Sequence, residues 1–173
     1  MNTQMWSLVT HQLENARTLA TLDKDRPRQA SLRRAVSTAY HALFQALCER
    51  CADKLVGWGK PWEVFTPVFR ALDHTRTTQV LRLLADPREH SAADPNWERL
   101  REIFAQLQTA REWADYSPEP RPNFKESAST PPFTRNEALV LIDWAEEAIR
   151  ILDGLNDEDR LKLAIRLVTK SRK

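Results

Sequence analysis

Glycine is nearly missing from this chain, with three in 173 residues. Hairpin turns and loops that fold backbone N–H groups around phosphate both lean on glycine. The scarcity therefore argues against hairpin-rich β structure and against a phosphate-cradling loop. Cysteine is scarcer still: Cys48 and Cys51 are the whole complement, in the run CERC. Zinc would need two further ligands, and no second Cys or Cys-His pair supplies them. The spacing favours two cysteines partly buried in a helix over a metal or redox pair. His11, His74 and His90 show no ligand spacing either. Glu98 to Arg101 and Glu112 to Asp115 approach the Glu-x-x-His spacing of a four-helix carboxylate metal site but bring no histidine. No metal and no cofactor are expected.

No apolar run approaches the ~18–20 residues of a membrane span. The start, MNTQMWSLVT, lacks a basic segment followed by an apolar one. That predicts no secretory leader, no membrane partner and a cytoplasmic location. Charge of one sign does not dominate: 26 Lys and Arg against 24 Asp and Glu leave +2, which neither demands nor rejects an anionic partner. Internal repeats are lacking. One domain over residues 1–173 is expected, long enough for a real core.

What is present is helical periodicity. Arg28–Asp53 reads as a central helix, with Pro27 in its first turn, where proline is tolerated, and no Gly or Pro before Gly57. Leu32, Val36, Tyr40, Leu43, Leu47 and Cys51 form one apolar stripe, and Ala35, Ala39, Ala42 and Ala46 a line of small side chains. Between them runs a polar line of Arg34, Thr38, His41 and Gln45. Arg34 and His41 fall within ~20° of each other around the axis and ~10.5 Å apart along it. Two packing faces with a polar seam suit the middle of a bundle or a dimer interface.

The rest of the chain reads as helices around that one. Residues 2–22 form the first, on Trp6, Val9, Leu13, Ala16 and Ala20. Arg26 and Arg28, with Arg33 and Arg34 one turn on, gather positive charge near the central helix start, against its dipole. Such a corner is either solvated or able to attract an anion. Gly57 stops the central helix. Residues 62–73 contain Pro67 and make a short or kinked helix at best, with Trp58, Trp62, Phe65 and Phe69 plugging one end of the bundle. Residues 75–85 suit a short helix with a Thr cap, and 96–116 a strong one, started by Asn96 or Asp94. In the latter Arg111 and Asp115 stand i, i+4 and can pair. A loop over 117–133 follows, with five prolines in Ser117–Pro132; so long a loop is usually functional or disordered. Thr134 and Glu137 form a capping box for a helix that Gly154 stops. A last helix over 156–173, capped by Asn156 or Asp157, is acidic at its start and basic at its end. Lys162, Arg166, Lys170 and Lys173 share one face, either solvated or a nucleic-acid contact.

Three segments together carry a family resemblance. LRRAVSTAYHALFQAL, AREWADYSPE and FTRNEALVLIDWAEEAI, in that order, resemble the HEPN superfamily (higher eukaryotes and prokaryotes nucleotide-binding). They span about residues 30–153. The resemblance implies an all-α, up-and-down bundle of four to five main helices with short accessory helices, acting as a homodimer. It implies a metal-independent RNase of the toxin or defence type, with an antitoxin or nucleotidyltransferase as possible partner. Active members carry an Arg and a His four to six residues apart on one helix. Arg34 and His41 fit that pattern at its widest; Arg33 misses it by one. Thr38 and Gln45 stand where close relatives carry an Arg and a His, and Ala35 where a polar residue is common. A catalytically inactive module that binds protein, nucleotide or RNA is therefore the alternative. Arg111, Asp115 and Tyr116 match the family's helix-end motif, implying support for the loop and for an RNA groove.

Overall fold

The computed structural model describes residues 3–23, 25–89, 95–116 and 133–169. The described residues are all helical, with no strand: α1 (Thr3–Thr21), α2 (Gln29–Leu55), α3 (Trp62–Phe69), α4 (His74–Leu84), α5 (Pro95–Tyr116), α6 (Arg135–Gly154) and α7 (Asp157–Val168). A 3₁₀ turn, Pro87–Glu89, follows α4. None of the described helices is long and apolar enough to cross a membrane.

The longest helix, α2, packs against α1, α3, α5, α6 and α7. That explains its composition. A helix with neighbours on several sides cannot keep one clean apolar face, so its buried residues run nearly all round. The apolar stripe Leu32, Val36, Tyr40, Leu43, Leu47 and Cys51 is buried, and so is the small-residue line Ala35, Ala39, Ala42 and Ala46. Cys48 and Cys51 are buried free thiols, and burial raises both, Cys48 to about 12, which keeps them protonated and unreactive at neutral pH. By contrast α6 is amphipathic, with Ala138, Leu141, Ile142, Ala145, Ile149 and Leu152 turned inward.

Helix ends follow local chemistry, with some departures from the sequence reading. Thr134 and Glu137 form the expected reciprocal capping box on α6, and Asn156 caps α7 by accepting from the Asp159 N–H. The helix at α4 starts earlier than expected: Asp73, not a threonine, accepts the Arg76 N–H at 2.7 Å. The first helical residue of α2 is Gln29, so Pro27 precedes the cap residue Arg28 instead of sitting in the first turn. Gly57 has a left-handed backbone, φ +91°, as a helix stop requires, whereas Gly154 is still helical and Leu155 ends α6. The stretch expected over 117–133 lies outside the described residues up to 132, as do Asp94, Lys170 and Lys173.

Polar clamps fix how the helices meet. Arg17 of α1 bonds Asp143 and Glu146 of α6 at 2.6 and 2.9 Å, and Arg50 of α2 bonds Asp153 at 2.6 Å. Gln29 and Phe133 exchange two hydrogen bonds, 2.7 and 3.1 Å, tying the entry to α6 to the start of α2. Thr78 of α4 donates to Gln108 of α5 at 2.7 Å, and Arg76 donates to the Arg166 and Thr169 carbonyls at the end of α7. These hold the start of α4 against the middle of α2 and the end of α5.

Candidate active site

Where those three elements meet, the polar line of α2 gains partners. Tyr40 is wholly buried, and its ring packs on His41, Phe44, His74 and Phe104. Its Oη lies 2.5 Å from Nδ1 of His74, the first residue of α4. Burial pushes the Tyr40 hydroxyl far above its ordinary range, so it stays protonated and donates. Neutral His74 then accepts at Nδ1 and carries its own proton on Nε2. The Phe44 ring lies 4.1 Å from the His74 ring, centroid to centroid, and fixes its tilt.

His41, the next residue on α2, is half-buried. Its pKa is lowered, first by burial, then by Arg111, with His74 and Arg34 adding to the effect and Asp115 opposing it. His74 is lowered too, by burial and then by Arg111. Both imidazoles are therefore neutral at pH 7, the state in which an imidazole can take a proton.

The end of α5 supplies the charge. Arg111 Nε lies 2.7 Å from Asp115 Oδ2, the i, i+4 pair read from the sequence. Its Nη2 donates to Tyr116 Oη at 3.2 Å, and its guanidinium lies 5.2 Å from the Tyr116 ring centre and 5.9 Å from that of Tyr40. Arg111 is thus held by a carboxylate and two rings at the edge of the histidine cluster. Arg33 donates to the Trp113 carbonyl of α5 at 3.5 Å. Arg34 is exposed.

Of the residues singled out in the sequence, His41, Arg111, Asp115 and Tyr116 converge, with Arg34 close enough to bias His41. Thr38 is half-buried one turn before His41. Gln45 leaves the group: its amide donates to Glu49 Oε1 at 2.9 Å. His74 is the residue the sequence reading passed over. Nothing in the local spacing links positions 40 and 74. The available signal was weaker: an Asp-His pair opening a short helix, which places an imidazole at a helix start.

Two neutral imidazoles, a buried phenol and guanidinium groups can move protons and stabilise an anion. Among the described residues no group of three or more His, Cys, Asp or Glu converges to hold a metal ion. Comparison with family models, with characterised proteins and with solved structures finds no match.

Proposed function

We propose that this chain is a HEPN-like ribonuclease, acting on RNA as a homodimer without a metal, with His41 as the proton-transfer group. The reading rests on the resemblance, and the observation that carries it is the state of His41: a half-buried imidazole kept neutral and flanked by guanidinium groups. The reaction such a group suits is attack of a ribose 2′-OH on the adjacent phosphorus. His41 takes the 2′-OH proton, the new bond to phosphorus forms, and the bond to the 5′ oxygen breaks. The departing 5′ oxygen takes a proton from water, and the hydroxide so formed takes back the proton held on His41, which returns to its neutral state. Products are a 2′,3′-cyclic phosphate and a 5′-OH. Arg111 and Arg34 balance charge on the phosphate oxygens. The homodimer belongs to the proposal through the resemblance, which implies that each subunit brings its own Arg34 and His41 to a shared seam. Toxin or defence roles, with an antitoxin or nucleotidyltransferase as partner, follow from the resemblance alone.

The test is cleavage of single-stranded RNA in EDTA, with end analysis for cyclic phosphate. His41→Ala is expected to cut the rate ~10²–10⁴-fold, the usual worth of a positioned acid or base, and Arg34→Ala to cut it less. Unaltered rates in both variants would overturn the site. The inactive-module reading is favoured by one feature: Gln45, which stands where close relatives carry a His, is bonded to Glu49 and turned away from the histidine cluster. It predicts RNA binding without cleavage, weakening steeply with added salt.

A further inference from the structure

Further along α2 lies a pocket of about 280 Å³ that the nuclease reading leaves unused. Leu8, Trp58, Trp62, Phe65 and Phe69 wall it, together with Gln45 and Glu49. The rings form one cluster: Trp58 meets Phe65 edge-on at 5.0 Å, Trp62 stacks on Phe65 at 5.6 Å, and Phe69 stacks on Phe65 at 6.3 Å. Glu49 is a carboxyl in this apolar wall, only 2 % exposed. Gln45 satisfies its Oε1, but Oε2 is buried with no donor, and the buried Trp58 Nε1 has no acceptor.

Buried polar atoms are nearly always paired, and an unpaired carboxyl oxygen is among the costlier exceptions. Burial holds the Glu49 carboxyl above its ordinary range, with the Gln45 bond and Arg50 acting against it. A group that brings N–H donors and positive charge satisfies the oxygen and favours the carboxylate. Aromatic faces suit the same group, since their ring quadrupoles attract a cation and their area covers an alkyl stem. We propose that this pocket binds a primary alkylammonium group, with Glu49 as its counter-ion and Trp58, Trp62 and Phe69 as its walls. The volume lies just under the ~300 Å³ where small-molecule pockets begin, which fits a short amine or a lysine side chain and not a nucleotide. The inference does not depend on the nuclease reading, because none of these residues except Gln45 adjoins the histidine cluster.

The experiment follows the Trp58 and Trp62 indole N–H signals of the full chain by NMR during titration with n-butylammonium chloride or n-butanol. The expected result is saturable binding of the ammonium at least about tenfold tighter than the alcohol, with the preference lost in Glu49→Gln. Equal affinity for the two probes, no response to either, or an unchanged preference in Glu49→Gln would overturn the proposal. Trp62→Ala guards against a folding failure at the buried position, because Trp62 is 58 % exposed. It should weaken the ammonium severalfold, and an unchanged affinity overturns the aromatic wall. Nα-acetyl-lysine amide then separates two sources of the same chemistry. Binding as tight as butylammonium identifies a lysine on a partner protein, and exclusion identifies a free amine; either supports the site.

Discussion

His41 and Glu49 lie eight residues apart along α2, ~12 Å of rise, and burial acts on both in the same way: it disfavours the charged form. The outcomes differ because the neighbours differ. Around His41, Arg111 and Arg34 add positive charge against the opposing Asp115, and the neutral base that burial favours is kept. Around Glu49 aromatic rings dominate, Gln45 supplies one donor, and one oxygen stays unpaired. In the first region Tyr40 is partnered by His74 and Arg111 by Asp115. The second is incomplete and lacks a donor. One helix can thus carry two kinds of polar site, set by which helix end faces it: the starts and ends of α4 and α5 bring charge, while α3 brings rings.

The most severe test of this contrast exchanges the variants between assays. His41→Ala should lose ~10²–10⁴ of the cleavage rate and keep butylammonium binding. Glu49→Gln should do the reverse, with cleavage unchanged. If either variant fails in both assays while remaining folded, the two regions are one site and the contrast is broken. Next in size is Leu43→Ala. Leu43 is wholly buried on α2, between the two regions in sequence. Its truncation should cost ~2–5 kcal/mol of stability by chemical denaturation. At temperatures where the variant stays folded, both sites should survive, because neither uses Leu43 directly.

Tyr40→Phe is a smaller and sharper probe. It keeps the ring packing on Phe44 and Phe104 and removes only the hydroxyl that meets His74 Nδ1. A loss of about 1 kcal/mol is expected. The telling measurement is the His74 tautomer by NMR. The Nε2–H form should lose its dominance, and cleavage should fall by less than in His41→Ala. An unchanged tautomer would mean that Tyr40 does not set it.

How much of this was legible in advance depends on distance along the chain. The central helix, its alanine line and the Thr134/Glu137 box could be read because each is a pattern within a few turns. The Arg111–Asp115 pair was readable for the same reason. His74 was not, because its partner Tyr40 is 34 positions away and the contact exists only once Thr78, Gln108 and Arg76 hold α4 in place. Glu49 escaped notice for the same reason. It follows Gln45 by one turn, but the side chains that share its pocket, such as Leu8 and Phe69, are far from it in sequence. The departures at Asp73 and Gly154 show the limit on caps: several residues near a helix end can serve, and tertiary contacts choose among them.

The smallest effect, and the one that compares the regions most directly, is on pH dependence. His41 and His74 have pKa values lowered on folding, so below the unfolded value of about 6.5 the unfolded chain binds protons that the folded chain does not. Their contribution therefore reduces stability as pH falls from that point. Glu49 has a raised value, so above about 4.5 the folded chain keeps a proton that the unfolded chain has released. Its contribution reduces stability as pH rises from there toward the folded value. Acidification from neutral pH thus weakens one region and relieves the other. Thermal melts of His41→Asn/His74→Asn should lose the first slope and keep the second, and Glu49→Gln should do the opposite. Parallel pH profiles in the two variants would mean that burial does not separate the regions. Restoration of the Glu49 slope toward zero by saturating butylammonium would tie the unpaired oxygen to its missing donor.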